Sequence, residues 1–390
     1  MRMNRWHTTN ENCRGNYPTS TLKLLDTMKY QVIAADQLTE QHVDAWSRIQ
    51  QADPALASAY FTPEFTLAVG AVRDRAEVAV MEEDGLPVGF LPYHRGKANV
   101  AEQIADTLTD FQGAIVREGV RWDLKALFRA CGISAMYWDH VAPGQKAFLP
   151  HRWSEAPSPY MDVEGGFEAY RKNRNRPGSD KIKQALRKMR KLEREQGPLR
   201  LEACSSDPKV FETLIEWKRA QYVRTNTRDV FSCCWTVELL RRIGQLRGEA
   251  LCGMLSALYV GDRLAAVHMG MMSRGVMHWW FPAYDVGLSR YSPGMIQLIR
   301  MVQEAPELGI NRIDLGKGSE QFKTQFMTGS TPVAEGGLDL RPIVRPLQKM
   351  WLQTQKLVRS SRLHAPARIV ARNMQQWFGA GKTKSGGATS

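Results

Sequence analysis

Between Tyr259 and Phe326 the chain runs, without interruption, through two turn-bounded apolar stretches, a capped helix and a short returning strand. That order commits it to a mixed sheet covered by at least one helix. Tyr259-Val260-Gly261-Asp262-Arg263 reads as a turn, and residues 264–272 after it are apolar apart from one imidazole, His268. A run of this kind entered through Gly-Asp predicts a buried strand. Ser273-Arg274-Gly275 is a second turn, and residues 276–281 carry the β-branched and aromatic side chains that suit a pleated surface. The pair predicts a β-hairpin.

A loop over 282–291 then leads to Ser292-Pro293-Gly294. Serine caps a helix, and proline fits its first position because the N–H it lacks would be unsatisfied there. Met295, Leu298, Ile299 and Val302 fall at i, i+3, i+4 and i+7, which predicts a helix from Pro293 to about Glu304 with one buried face. Pro306 and Gly309 end it, and 310–315 predicts another strand of the same sheet. Gly316-Lys317-Gly318-Ser319-Glu320-Gln321-Phe322-Lys323 follows. The start of the helix offers backbone N–H groups to an anion such as a pyrophosphate, and the glycine-rich loop is expected beside it. A donor cleft lies between them in this reading.

His268, Tyr284-Asp285, Tyr291-Ser292-Pro293-Gly294, Asp314-Leu315-Gly316-Lys317-Gly318 and Phe322-Lys323 together resemble the C-terminal half of the CelD/BcsL-type acetyltransferases. These are a branch of the GNAT superfamily related to the FemABX aminoacyltransferases. Arg194-Glu195-Gln196-Gly197, Trp217-Lys218-Arg219-Ala220-Gln221-Tyr222 and, further upstream, Leu108-Thr109-Asp110-Phe111-Gln112-Gly113 extend the resemblance. It covers about 167–331 well and the first half loosely. The resemblance implies a transferase that passes an acyl group from acyl-CoA, such as acetyl-CoA, directly to an amine, within exopolysaccharide or cellulose biosynthesis.

Such chemistry needs a place for the donor's phosphates, donors that polarise the carbonyl, and a base that keeps the nitrogen neutral. For the donor, the candidates are Arg290, Ser292, Gly294 and the N–H groups of Met295 and Ile296, although Pro293 and Met295 stand where the superfamily's loop carries small residues. The same residues also describe an ordinary capped helix. His268 is a candidate base or a satisfied core histidine. Asp314 is a base or the partner of the turn that follows it. By the resemblance Lys323 stabilises oxyanion charge, against the alternative of a solvated lysine, and Tyr284 is a proton donor to the thiolate or a packed aromatic.

The rest of the chain supports a two-domain reading. Strand, helix, helix and hairpin signals over 30–35, 39–51, 62–73 and 76–95 repeat the later pattern faintly, and prolines 143, 150, 157 and 159 mark 143–159 as a linker. A helix over 179–196 carries Ile182, Leu186, Met189 and Leu192 on one stripe and lysines and arginines elsewhere, so it is a solvated helix or a surface for phosphate-bearing partners. Of the net charge of +13, residues 171–200 hold 12 Lys/Arg against 3 Asp/Glu, and 341–390 hold 10 against none. Two basic segments therefore sit on an otherwise acidic chain.

The expected fold is α/β (α+β): two GNAT-like domains, each a mixed sheet flanked by helices, at 29–150 and 158–340, and a basic amphipathic helical tail at 341–390. Residues 1–28 are expected to be disordered or to precede the true start. No apolar run approaches the roughly 20 residues that span a bilayer, six irregularly spaced cysteines give neither a zinc pattern nor a disulfide framework, and no metal is expected. A cytoplasmic protein follows, with the tail a candidate for peripheral contact with an anionic membrane. Two alternatives to the acyl-CoA reading stay open: an aminoacyl-tRNA-dependent FemABX-like transferase, and a non-catalytic GNAT-fold module of a polysaccharide synthesis assembly. Metal and nucleophile-elbow hydrolases are disfavoured by the absence of their motifs.

Overall fold

The computed structural model describes residues 28–174, 181–318 and 320–342. The expectations for residues 1–27 and for the tail beyond Pro342 fall outside it.

The chain opens with β1 (Lys29–Ala34), α1 (Glu40–Ala52) and α2 (Pro63–Gly70). Thr39 closes a capping box with His42 at the start of α1, and Thr62 caps α2, whose first residue is proline. The hairpin of β2 (Ala76–Glu83) and β3 (Leu86–Arg95) follows, then β4 (Val100–Glu102), β5 (Ile115–Val116), α3 (Leu124–Ala130) and β6 (Ala135–Val141). Next come β7 (Arg152–Asp162), α4 (Gly166–Arg174), α5 (Lys181–Gln196), β8 (Leu199–Glu202), α6 (Pro208–Thr225) and α7 (Cys234–Gln245). The stretch singled out in the sequence forms β9 (Cys252–Val260), β10 (Arg263–Ser273), β11 (Val276–Tyr284), α8 (Pro293–Glu304), β12 (Arg312–Asp314) and α9 (Gln321–Phe326), with β13 (Gly329–Asp339) after it.

One sheet collects all of these strands, in the order β1-β2-β3-β4-β6-β13-β7-β12-β11-β10-β9-β8, with β5 on β3. β13 lies between β6 and β7 and so ties the late chain to the early one. The expected linker over 143–159 is therefore corrected: its second part is the start of β7, in the middle of the sheet. The carbonyls of Pro157 and Pro159 accept from the N–H groups of Gly318 and Leu315, on the side away from β13. Since the N–H and C=O of a strand residue point the same way, the prolines' missing donors are not missed by the β13 ladder.

The core is likewise shared. Trp46, Phe65 and Phe90 of the first half pack in one cluster with Phe211, Leu240, Met269 and Phe281 of the second. On the other side of the sheet α8 buries Leu298, Ile299 and Val302 with Met254, Met277 and Ile313. α5 buries Ile182 and Leu192 of its expected stripe together with Ala185, while Leu186 and Met189 are half-buried. No helix among the described residues is long and apolar enough to cross a membrane.

Candidate functional site

β11 and β12 run parallel but pair over three residues only, Val276 with Arg312, Met277 with Ile313 and His278 with Asp314. β12 ends there while β11 continues to Tyr284, so the sheet forks at His278 and Asp314. Beyond the fork the peptide groups on that side of β11 have no ladder partner among the described strands.

Polar side chains from both halves gather at the fork. His278 Nε2 lies 3.0 Å from Asp110 Oδ2, and the Tyr60 ring meets the imidazole edge-on at 5.1 Å. Burial pushes the Asp110 carboxyl up, but His278, His140 and Lys323 outweigh it and hold the group below its ordinary range. Asp314 behaves oppositely: burial raises it, against the pull of Arg312 at 2.7 Å. The Tyr60 phenol is buried, without a hydrogen-bond partner among the described residues, and pushed well up by burial and by Asp110. Gly316 makes the approach possible, because a Cβ there would stand 2.6 Å from Asp110 Oδ2. On the same face, a cavity of about 230 Å³ is lined by Val276, Arg312, Asp314 and Thr331 of the second half and by Ser58 and Phe111 of the first.

A second group of side chains gathers at the start of α8. Ser292 sits there in the left-handed region with φ 58°, and its hydroxyl accepts from Lys188 Nζ of α5 at 2.7 Å. Arg290 lies over the Tyr291 ring and near Glu195, to which the Tyr291 hydroxyl donates at 2.7 Å. Tyr284, 37% exposed, flanks Gly294, whose Cβ would come within 3.7 Å of the tyrosine ring. One expectation needs correction here. The N–H groups of Met295 and Ile296 both donate to the Ser292 carbonyl, at 3.0 and 3.2 Å, and are not free for a phosphate. Pro293 has no N–H, and among the described residues no partner is seen for that of Gly294.

His268 does not join either group. It is fully buried, stacks on Trp279 at 3.7 Å, accepts the Trp280 N–H at Nε2 and meets Ser256 Oγ at Nδ1. Burial, then the charges of His278 and Lys218, push it well down. With both nitrogens engaged it is a satisfied core histidine, and the base reading is corrected. Lys323 points its ammonium at the carbonyls of Gly316 and Lys317 and at Glu320, so it clamps the glycine loop beneath the fork and is not a solvated lysine.

The structure thus puts Asp314 and Lys323 at the fork and Arg290, Ser292, Gly294 and Tyr284 at the helix start; His278, Asp110, His140 and Tyr60 were not among the candidates read from the sequence. A signal for two of them existed. Asp110 stands in the flagged segment 108–113, and His278 in the aromatic strand next to His268.

Residues 179–324, less than half of the chain, match the family model described as the acetyltransferase (GNAT) domain. No curated protein matches the chain. Among solved structures it is similar to FemX, with a TM-score of 0.55 at 11% identity over 83% of this chain and 100% of that one. It is also similar to the C-terminal domain of a putative lysylphosphatidylglycerol synthetase from Agrobacterium fabrum, with a TM-score of 0.50 at 13% identity over 79% and 94%. At such identities the likeness is one of fold. The chain has a mixed α/β, GNAT-like fold.

Proposed function

We propose that the chain is an N-acyltransferase that moves an acyl group from acyl-CoA, acetyl-CoA being the simplest donor, to an amine of an envelope or exopolysaccharide intermediate. The fork carries this reading. A thioester carbonyl laid between β11 and β12 lies along the part of β11 that no described strand pairs with on that side, and a backbone donor fixed there would stabilise the oxyanion formed on attack. The start of α8 lies at the far end of β11, roughly 20 Å away at about 3.3 Å per residue. A donor with phosphates at one end and a thioester at the other spans the two groups of side chains.

In this reading Lys188, Arg290, Ser292 and Gly294 face the phosphates, and Tyr284 flanks the donor there, too far from the fork to protonate the thiolate. Asp314 stands beside the reacting carbonyl, and Lys323 acts through the loop it clamps. The amine acceptor rests on the resemblance to the CelD/BcsL type. Titration calorimetry with acetyl-CoA and longer acyl-CoAs tests the donor: binding is expected, and Lys188→Ala should weaken it several-fold at an unchanged melting temperature.

The exposed basic residues of α5, placed beside the α8 start by the Lys188 contact, favour one second reading, a donor carried on tRNA. If charged tRNA binds and no acyl-CoA does, that reading replaces the first; if neither binds, the chain is a non-catalytic module. Contact of the basic residues of 341–390 with an anionic membrane belongs to the same proposal, and co-sedimentation with anionic but not neutral vesicles supports it.

A further inference from the structure

Four side chains stand in line across the junction of the two halves. Asp139 Oδ1 holds His140 Nδ1 at 2.7 Å. His140 Nε2 lies 3.5 Å from Asp110 Oδ1, and the other oxygen of Asp110 is the one 3.0 Å from His278 Nε2. Asp139 is 58% exposed and His278 only 2%, with His140 and Asp110 between them at 14% and 24%. Both ring nitrogens of His278 are buried at the fork and neither makes a hydrogen bond of ordinary geometry among the described residues: Nε2 faces Asp110 as an ion-pair partner, and Nδ1 is left open. The groups alternate carboxylate, imidazole, carboxylate, imidazole from solvent to fork. Among the described residues no three of them converge on one point as metal ligands do, so the arrangement is a chain and not a cage.

A base as buried as His278 can take a proton but has no water to give it to. We propose that His278, Asp110, His140 and Asp139 form a proton relay from the sheet fork to solvent, with His278 Nδ1 as the inner terminus that receives the proton of the attacking amine. This rests on the acyltransferase reading above. The amine nitrogen attacks the thioester carbonyl carbon, the C–N bond forms and the C–S bond breaks. The surplus proton on nitrogen passes to His278 Nδ1, while the proton on His278 Nε2 moves to Asp110 and on to His140 Nε2. The His140 Nδ1 proton then leaves through Asp139, and the departing thiolate takes one proton from solvent. No net charge is created.

The surroundings suit this use. Around His278 stand Asp110, its register partner Asp314 with Arg312, the Tyr60 phenol and, across the sheet, His268. Lys323 favours the anionic form of Asp110, and Lys317, paired with Glu335, donates to the Asp139 carbonyl at 2.8 Å. Both carboxylates of the line are held below their ordinary range, so each is an acceptor at neutral pH, although burial alone would raise them.

Histidine-ring NMR on the full chain tests the relay without any substrate. The eight histidines include His94, which faces Glu102 outside the line and serves as internal reference. The neutral imidazole of His278 should be the Nε2–H tautomer. Exchange of its ring proton with solvent should slow at least tenfold in Asp110→Asn and in His140→Gln, with His94 unchanged. Should Asp110→Asn fail to fold, Asp139→Asn at the surface gives the same comparison with a smaller slowing. A His278 proton that exchanges equally fast in every variant, or an Nδ1–H tautomer, overturns the relay. Calorimetry separates this from the parent reading. A chain that binds acetyl-CoA but shows indifferent exchange loses the relay alone, whereas slowed exchange without donor binding keeps the relay and rejects the acyltransferase.

Discussion

Lys218 shows how a single residue can be read for stability in this fold. Its side chain is buried on α6 against the Tyr222 and Phe281 rings, and its ammonium reaches Gln221 Oε1 at 3.2 Å. Among the described residues no carboxylate pairs with it, and burial pushes its pKa down to about 8. The unfolded chain holds that proton up to about 10.4, so between the two values it binds more protons than the folded one. Stability therefore rises with pH across that window and is lowest below it. Lys218→Met should abolish the rise and add about 1–3 kcal/mol at pH 7, part of the gain being offset by the lost cation–π contacts; urea melts at pH 7 and 9.5 measure both. His268 gives the complementary case. Its depressed pKa means that stability is lost as pH falls below about 6.5, because the unfolded chain then takes up a proton that the folded one refuses. His268→Gln should cost about 2–3 kcal/mol through lost packing and hydrogen bonds, and should flatten that acid limb. A variant as stable as the parent would return His268 to the list of bases. From sequence alone His268 drew attention because it was the one ionisable group in an apolar run, while His278 hid among aromatics; only the approach of Asp110, distant in sequence, separates the two.

At the scale of elements, turns do more than connect. Arg274, the first residue of the β10–β11 turn, has φ 49° and sends its guanidinium to the carbonyls of Gln50 and Asp53 at the end of α1, at 2.9 and 3.1 Å. It thus caps the Gln50 carbonyl in the last turn of a helix more than 200 residues earlier, adds a second donor to the Asp53 carbonyl that already accepts from the Leu56 N–H, and ties the hairpin to the first half. Arg274→Ala should lower stability by about 1–2 kcal/mol and raise hydrogen exchange in α1 and in β10–β11 together. Exchange confined to one of them would mean that the contact is incidental. The hairpin and α8 were legible in the sequence because their signals are local: Gly-Asp and Arg-Gly turns, a Pro at the first helical position, and a 3.6-residue stripe. The expected serine cap is corrected: Ser292 is left-handed and its side chain makes no capping hydrogen bond, its hydroxyl being held by Lys188. β7 and β13 were not. β7 carries two prolines, Pro157 and Pro159, and reads as a linker until the neighbours that face its missing N–H groups are known. β13 holds Pro332, Gly336 and Gly337 and acquires its strand character from β6 and β7 on either side. The fork itself was illegible for the same reason, since it is made by where pairing stops.

The molecule as a whole is closed by that last strand. β13 pairs with β7 from Gly329 to Gly336 and with β6 from Ala334 to Asp339, so its removal would open two facing edges in the middle of the sheet. It also buries Val333, Ala334 and Leu338, and it anchors side chains from both halves: Glu335 accepts from Ser154 and Lys317, and Asp339 from Tyr137. Burying a valine or leucine contributes about 1.5–3 kcal/mol each, which for Val333 and Leu338 together is a large fraction of the roughly 5–15 kcal/mol net stability of an ordinary domain. Two truncations should therefore behave very differently. A chain ending at Pro342 keeps every described strand, and should unfold cooperatively within a few degrees of the full chain. A chain ending at Thr328 leaves β6 and β7 with unpaired backbone on the sides that β13 covered, the condition under which strands recruit other chains. It should aggregate or melt far below the longer one, and separate expression of residues 329–342 should not be tolerated as a mere appendage. Differential scanning calorimetry and light scattering on the two chains decide the matter. Equal melting temperatures would mean that the two halves of the sheet are self-sufficient, and that β13 is cover added to finished edges.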